Sequence, residues 1–325
     1  MGENTEVVGH AAQRSMLERL VRTKKLPSTM LFAGASGIGK RRVALELARS
    51  LYCTKEPLLY GGCGECKQCK LFEVGNLPDC VKLDCMDRET FDVERLRGLL
   101  HTLSMRTFSG GARVIIFDNA EALSTQAANL LLKSFEEPRL GNHFILICSN
   151  PGTLPQTLLS RCQIWFFDSL RESELREVLS AQGFEASELE DLVKLADGSL
   201  ANVATFKEHL SEWRELVQSL RSIGSGDTPR GFALAAELSK DKEALRAKLT
   251  LLRIAARTVL LETSSEADSF RWSSCILNLL SAERLIFDRN IGANYVLSLL
   301  FARLADHRTC TRSLRGDRLL DRVAV

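Results

Sequence analysis

A glycine-rich loop in the first fifty residues has the composition of a phosphate-binding site. Gly34, Gly39 and Lys40 fit the pattern G-x-x-x-x-G-K, and Gly37 adds a further flexible position within it. Glycines let backbone N–H groups close around phosphate oxygens, and the lysine would neutralise the β- and γ-phosphates. The loop follows an apolar run and precedes a helical pattern, as the motif requires. A glycine turn that merely joins a strand to a helix is the alternative, and this context counts against it.

Two positions around this loop depart from what ATP hydrolysis needs. Arg41 stands where serine or threonine would hold Mg²⁺, and a guanidinium cannot ligate a cation. Asp118 ends an apolar run as a magnesium-site aspartate does, but Asn119 replaces the glutamate that polarises water in active enzymes. Glu121 is expected to point elsewhere. These residues predict a chain that does not hydrolyse ATP alone, and they leave nucleotide binding without hydrolysis open.

Four of the ten cysteines form a dense cluster with the spacing C-x9-C-x2-C-x2-C: Cys53, Cys63, Cys66 and Cys69. Four thiolates at such spacings suit a tetrahedral structural Zn²⁺, and they leave no open position for catalysis. Free thiols are the alternative, which so dense a cluster disfavours. Two more cysteines are spare ligand candidates, Cys80 and Cys85. The remaining four are expected to pack as small apolar residues, namely Cys148, Cys162, Cys275 and Cys310.

The elements that would position these residues alternate along the first half of the chain. Apolar runs at 29–33, 114–117, 143–148 and 163–167 read as strands, and residues 41–52, 93–103 and 125–136 read as helices. This alternation predicts a parallel α/β sheet covered on both faces. From about residue 168 only helical patterns follow, with a linker at 224–229 and a basic tail at 308–325. We expect three domains, at 1–168, 169–210 and 211–325.

Composition places the chain among ordinary globular proteins, with 45% apolar and 26% charged residues. The sequence has no apolar segment long enough to predict a membrane span, and the polar N-terminus lacks the apolar core of a signal peptide. A cytoplasmic location is therefore expected. The formal net charge is only +2, which does not by itself indicate a nucleic-acid binder.

Taken together, the motifs resemble bacterial clamp-loader subunits of DNA polymerase III over essentially the full length. The matching segments occur in the family's order: VVGH at 7–10, the phosphate loop, the cysteine cluster, IIFDNAEAL at 115–123, NLLLKSFEEP at 129–138, SNPGTLPQTLLSRCQ at 149–163 and ADGSL at 196–200. The resemblance implies an AAA+ domain, a small helical lid and a helical collar. It also implies that Arg161, in the segment SRC, reaches into a neighbouring subunit's ATP site as an arginine finger, where the alternative is a surface ion pair.

Within the family the residues most resemble the delta-prime subunit. ATP-hydrolysing gamma and tau subunits have GKT or GKS, an aspartate–glutamate pair and a lid arginine, and the corresponding residues here are Arg41, Asn119 and Ala201. An ATP-hydrolysing gamma/tau-like subunit is the alternative; a motor outside replication and a zinc protein without a nucleotide site are more remote. The resemblance implies a five-membered ring with gamma/tau and delta partners, and a stator role during loading of the sliding clamp onto primer–template DNA.

This assignment makes the chain a subunit of a DNA polymerase holoenzyme. The chain is not expected to be catalytic alone. Contact with DNA should be directed at the backbone, because clamp loading cannot depend on sequence. Arg113, Lys133 and Arg139 are candidate basic contributors, although solvated surface charge is the favoured interpretation of each.

Overall fold

The computed structural model describes residues 7–55, 60–87, 91–103, 107 and 111–306. The chain divides into two compact units: Met1–Phe184 with Gly198–Ala201 forms the first, and Glu185–Asp197 with Asn202–Val325 forms the second. The predicted basic tail lies outside the described residues, as do residues 56–59, which fall between Cys53 and Cys63 of the cysteine cluster. The finer division into three domains stays a prediction.

A parallel sheet forms the centre of the first unit. Its five strands are β1 (Thr29–Ala33), β2 (Cys80–Asp84), β3 (Arg113–Asp118), β4 (Asn142–Cys148) and β5 (Gln163–Phe166), in the spatial order β2-β3-β4-β1-β5. All four neighbouring pairs are parallel. Ala33 is in register with Cys148, and Asp84 with Asp118, so the carboxyl ends of these strands share one edge of the sheet. Ligand-binding loops of open α/β sheets gather at this edge. The predicted α/β class is confirmed.

Burial explains why the sequence revealed β1 and β3 but not β2. All residues of β1 are buried, and only the last residue of β3 is not, so both read as continuous apolar runs. The edge strand β2 has one buried residue, Leu83, and its mixed sequence CVKLD carries no apolar run. For that reason β2 is absent from the sequence prediction.

Seven helices accompany the sheet in the described part of the first unit. They are α1 (Ala11–Arg22), α2 (Lys40–Tyr52), α3 (Lys67–Glu73), α4 (Val93–Thr102), α5 (Thr125–Glu136), α6 (Gln156–Leu159) and α7 (Glu172–Ala181). Ser124 caps α5 by accepting from the N–H of Ala127 at 3.1 Å, and Asp92 caps α4 by accepting from Arg95. Both α4 and α5 bury apolar residues, including Leu96 and Leu131, in one core beneath the sheet.

Arg113 is buried, so the expectation that it is a solvated surface charge is wrong. It is 5% exposed, and its guanidinium pairs at 3.4 Å with Asp79, which is fully buried. Its Nη1 also donates to the carbonyl of Thr102 at 2.7 Å. Arg113 is therefore neither a solvated surface charge nor available to DNA, whereas Lys133 and Arg139 are exposed.

In the part of the second unit that the structure describes, all regular structure is helical. Its elements follow in the order α8 (Ala186–Ala196), α9 (Leu200–Phe206, which starts at the last residues of the first unit), α10 (Leu210–Gly224), α11 (Thr228–Leu238), α12 (Leu245–Glu262), α13 (Glu266–Phe287) and α14 (Ala293–Ala305). The predicted linker is a short turn between α10 and α11, where Asp227 caps α11 by accepting from the N–H of Arg230. Close packing fixes the helices: a Cβ on Gly224 would lie 2.8 Å from Trp272, and one on Gly231 would lie 2.9 Å from Phe301.

Among the residues that the structure describes, no helix combines the length and the apolar character needed to cross a membrane.

Candidate nucleotide site and metal centre

The predicted phosphate loop joins β1 to α2 at the carboxyl edge of the sheet. Gly34, Gly37 and Gly39 have φ values of 151°, 70° and 100°, which L-residues with a side chain rarely adopt. Gly39 precedes the first residue of α2, Lys40. The loop is anchored to the sheet because the N–H of Gly34 donates to the carbonyl of Cys148 at 3.3 Å. The strand, loop and helix therefore have the arrangement that the motif predicts.

Lys40 turns its ammonium into its own loop. Its Nζ donates to the carbonyls of Gly34 at 2.6 Å and Ala35 at 2.5 Å, and the residue is only 5% exposed. Burial lowers the pKa of Lys40 from its ordinary value, and the nearby carboxylate of Glu121 is the largest opposing influence. The ammonium charge of Lys40, which would meet the phosphates of a nucleotide, is thus already hydrogen-bonded to backbone carbonyls of the loop.

Three further loop carbonyls also have internal partners. Ser199 Oγ donates to Ser36 at 2.6 Å, and the backbone N–H of Leu200 donates to Gly37 at 3.1 Å. The carbonyl of Ile38 lies 2.6 Å from Nε2 of His10.

The segment that supplies Ser199 also fills space beside the loop. A Cβ on Gly37 would lie 2.3 Å from the nitrogen of Ala201 and 2.6 Å from its Cβ. Ala201, the position predicted to lack the lid arginine, therefore abuts the phosphate loop. We call residues 199–201 the clasp, because they hold the loop closed through backbone and side-chain hydrogen bonds.

Two side chains of the protein form an ion pair at the position where an active phosphate-loop enzyme would hold Mg²⁺. Arg41 Nη1 lies 3.6 Å from Oδ2 of Asp118, so the guanidinium faces the carboxylate that would hold the cation. Burial raises the pKa of Asp118, and the positive charge of Arg41 opposes this rise. Asn119 adopts the left-handed conformation and donates from Nδ2 to Oδ1 of Asp84 at 2.9 Å. Its amide is therefore engaged with β2.

Glu121 does not point away from the site, contrary to the expectation from sequence. It lies on a 3₁₀ turn, Ala120–Ala122, directly after β3. Its Oε1 accepts from the N–H of Ser149, just after β4, at 3.2 Å, and its charge acts on Lys40. The turn brings the side chain back over the carboxyl edge, a change of direction that residue order alone does not reveal.

The four predicted zinc ligands converge in space. The Sγ atoms of Cys53, Cys63, Cys66 and Cys69 all lie within 4.8 Å of one another. A tetrahedral Zn²⁺ with Zn–S bonds of about 2.3 Å separates its sulfurs by about 3.8 Å, so the group fits this ion with small adjustments. The spare candidates do not join it: Cys80 begins β2, and Cys85 is buried in the core beneath the sheet.

Backbone donors surround these sulfurs. The N–H of Cys63 points to Sγ of Cys53 at 3.4 Å, that of Cys66 to Cys63 at 3.3 Å, and that of Cys69 to Cys66 at 3.4 Å. Backbone donors from Thr54 and Cys69 lower the pKa of Cys66 to about 5. Such N–H···S contacts stabilise thiolates, the form in which cysteine binds metals.

The other cysteines are consistent with packing. Cys148 and Cys275 are buried, and Cys162 packs against the core beneath the sheet. Cys310 lies outside the described residues.

Arg161 follows α6 at the surface of the first unit. Its side chain is 33% exposed and pairs with Glu136 at the end of α5, with Nη2 2.5 Å from Oε1. Nη1 donates to the carbonyl of Thr157 at 2.8 Å. The residue thus has a defined orientation on its own chain and lies on a different element from the phosphate loop.

Sequence reasoning did not identify three residues of these sites: His10, Glu136 and Ser199. Each lies within a segment that contributed to the resemblance, but nothing in its spacing indicates its partner. His10 meets Ile38 across 28 positions, and Ser199 meets Ser36 across 163. Only the fold decides such contacts.

A strand–phosphate-loop–helix unit in a five-stranded parallel sheet, followed by helical structure, defines a P-loop α/β protein of the AAA+ class. The family model described as DNA polymerase III, delta subunit, matches residues 9–171. The chain therefore belongs to this family, and its similarity is to AAA+ subunits of bacterial DNA polymerase III clamp loaders.

Individual relatives carry the names of different clamp-loader subunits. The chain is 39% identical over 133 residues to the DNA polymerase III subunit delta' of Pseudomonas aeruginosa, a match that covers 41% of this chain and 40% of the relative. It is 32% identical over 201 residues to the subunit tau/gamma of Haemophilus influenzae, covering 60% and 29%. With the subunit tau of Escherichia coli it shares 26% identity over 285 residues, covering 85% and 42%. The matched parts span less than half the length of each relative.

Proposed function

We propose that this chain is the non-hydrolysing, delta-prime-like subunit of a DNA polymerase III clamp loader. The observation that carries the proposal is the ion pair between Arg41 and Asp118 at the magnesium position. Phosphoryl transfer from ATP needs Mg²⁺ to bridge the β- and γ-phosphates. A guanidinium at this position repels the cation and neutralises its carboxylate ligand. Asn119 adds a second obstacle, because an amide cannot act as the base that activates water.

The closed conformation of the phosphate loop supports the proposal that this subunit works without a nucleotide bound at its own loop. Lys40 and the carbonyls of Ser36, Gly37 and Ile38 all have partners within the chain. To meet the phosphates of a nucleotide, Lys40 would have to leave its buried position and give up its hydrogen bonds to the carbonyls of Gly34 and Ala35. We infer that the loop of this subunit is a structural element, with Gly34, Gly39 and Lys40 retained for the turn and its internal hydrogen bonds.

In this proposal the chain contributes to hydrolysis in an adjacent subunit. Arg161 acts in trans as an arginine finger, and a positive charge there stabilises the γ-phosphoryl group during transfer. The partners are gamma/tau and delta subunits in a five-membered ring, which loads the sliding clamp onto primer–template DNA. The chain is a stator, with its helices from residue 211 onward in a collar and residues 169–210 as a lid. It works in the cytoplasm as part of the polymerase holoenzyme.

We further propose that Cys53, Cys63, Cys66 and Cys69 hold a structural Zn²⁺. All four ligand positions are thiolates, so a bound ion would keep the loop between α2 and α3 folded rather than activate water. Arg49 of α2 lies against this group: a Cβ on Gly62 would be 2.9 Å from both Arg49 Cγ and Cys69 Sγ. The metal would thus fix the module to the helix that begins at the phosphate loop.

An ATP-hydrolysing gamma/tau-like subunit is the second candidate, and the relatives named tau and tau/gamma favour it. The two proposals differ in one property of the isolated chain. A delta-prime-like subunit has no Mg²⁺-dependent ATPase above background, whereas a gamma/tau-like subunit hydrolyses ATP in the same assay. Turnover that depends on Lys40 would reject the delta-prime-like assignment.

The trans role is tested in a complex reconstituted with the partner subunits of the same organism. Arg161→Ala should remove most of the ATPase that depends on this chain, while size-exclusion chromatography shows intact assembly. Arg171→Ala, which removes an exposed arginine after β5, is the matched control and should leave ATPase unchanged. Equal ATPase in the wild-type and Arg161→Ala complexes would refute the arginine-finger assignment.

A further inference from the structure

The FEEP and SRC segments, at residues 135–138 and 160–162, are joined by one ion pair. Oε1 of Glu136 accepts from Nε of Arg161 at 2.9 Å and from Nη2 at 2.5 Å. On the other side of the guanidinium, Nη1 donates to the Thr157 carbonyl at 2.8 Å and approaches Ser160 Oγ at 3.3 Å. All three guanidinium nitrogens are therefore held by acceptors from α5 and from α6 with its C-terminal cap.

The same contacts leave part of the guanidinium available. A guanidinium has five N–H donors in a rigid planar fork. Glu136 takes the Nε donor and one donor of Nη2, and Thr157 and Ser160 engage Nη1. The second N–H of Nη2 is not used by these contacts, and the side chain is 33% exposed. The arginine is fixed from one side and presents a donor at its distal end.

We propose that Glu136 is a positioning residue for Arg161, holding the guanidinium in the direction in which it meets the γ-phosphate of a neighbouring subunit. This inference rests on the proposed function of Arg161 in trans. An arginine side chain is long and flexible, so a finger without a fixed partner must be ordered at each turnover. Donors that are already oriented stabilise a transition state without that cost.

Two other roles of Glu136 predict different results. If its carboxylate competes with the phosphate for the guanidinium, removing the charge should raise the rate of hydrolysis. If the pair is only a surface ion pair, its removal should change little, since such pairs contribute little to stability. Positioning alone predicts a lower rate that depends on the presence of Arg161.

The test compares Glu136→Gln, Arg161→Ala and the double variant in the reconstituted complex, with kcat and KM for ATP measured separately. Glu136→Gln should lower kcat roughly two- to fivefold, the range that one oriented and partly exposed ion pair can supply. KM should stay within about twofold, because a finger acts on charge that develops in the transition state. Glu136→Asp, which keeps the carboxylate, should recover part of the rate. Glu137→Gln removes the neighbouring charge as a matched control and should have no effect.

The double variant separates this inference from the function on which it rests. Adding Glu136→Gln to Arg161→Ala should cause no further loss, because there is no guanidinium left to position. An unchanged or raised kcat for Glu136→Gln would overturn the positioning role, and so would an equal loss in both backgrounds. If Arg161→Ala itself has no effect, the proposed function fails, whatever the result for Glu136.

Discussion

Replacing Arg41 by threonine tests the proposal that its ion pair with Asp118 keeps Mg²⁺ out of the nucleotide site of this chain. The substitution removes the guanidinium that lies 3.6 Å from Asp118 and supplies the hydroxyl that active phosphate loops use. We expect the variant to gain affinity for a divalent cation at Asp118. It should still not hydrolyse ATP, because Asn119 is unchanged and its amide remains bound to Asp84.

The size of the gain follows from the geometry of the ion pair. A Mg²⁺ ion held about 2.1 Å from the Asp118 carboxylate would lie roughly 4 Å from the Arg41 guanidinium. A double and a single positive charge at this distance repel by about 2 kcal/mol in water and about 8 kcal/mol at an effective dielectric constant of 20. The side chain of Arg41 is 53% exposed, so the lower value applies. About 2 kcal/mol corresponds to roughly a 30-fold gain in cation affinity.

Titration with Mn²⁺, followed by the electron paramagnetic resonance of the free ion, measures this affinity directly. Arg42→Thr removes one positive charge from the next position on α2 and is the matched control, for which we expect no comparable gain. Arg41→Thr combined with Asp118→Asn should lose the gain, because the carboxylate is the ligand. An affinity for Mn²⁺ that is the same in wild type and Arg41→Thr would refute the view that the ion pair excludes the metal.

Three further predictions concern zinc, a buried ion pair and pH. The wild-type chain should contain about one zinc per molecule, and Cys66→Ser should lose it, as measured by metal analysis after chelator treatment. Asp79→Asn should lower the free energy of unfolding by about 3 kcal/mol or more in urea denaturation, because it leaves Arg113 charged and buried. Burial lowers the pKa of His143 below the ordinary value of 6.5, so stability should fall as the pH drops below about 6.5 and the unfolded chain binds the proton first.

Each of these predictions has its own control. Cys80→Ser should keep the zinc, because Cys80 lies outside the converging group, and loss of zinc in that variant would contradict the ligand assignment. Asp191→Asn breaks a pair with Arg214, whose side chain is 53% exposed, and should cost less than about 1 kcal/mol. His143→Gln should weaken the fall in stability at acid pH; an identical pH profile would show that other groups cause it.

Most helices of the second unit could be predicted because their boundaries have local causes. The sequence predicts helical patterns from about residue 168, and the structure has helices there, with the predicted linker at the turn between α10 and α11. There, Asp227 and Pro229 are a capping residue and a residue suited to the first helical turn. The edge strand β2 was missed because a strand paired on one side needs no continuous apolar run.

Local chemistry also made the candidate sites predictable from residue types. A phosphate loop is one continuous segment, and three of the four cysteines lie within seven residues, so spacing alone constrains the geometry of both sites. The proposed absence of hydrolysis rests on residue types in the same way, because the guanidinium of Arg41 cannot ligate magnesium and the amide of Asn119 cannot act as a base in any fold that keeps the motif.

Only the tertiary structure determined which partners these residues have. The sequence identified Arg41 and Asp118 separately, but the parallel pairing of β1, β3 and β4 places α2 so that the two charges meet. Likewise, Ser199 reaches the phosphate loop across 163 positions, and Arg113 is buried against Asp79 rather than exposed. A residue's type determines which groups it can bind, and the sequence gives that type directly. Which groups come within reach of it depends on how distant segments pack, and that depends on the whole chain.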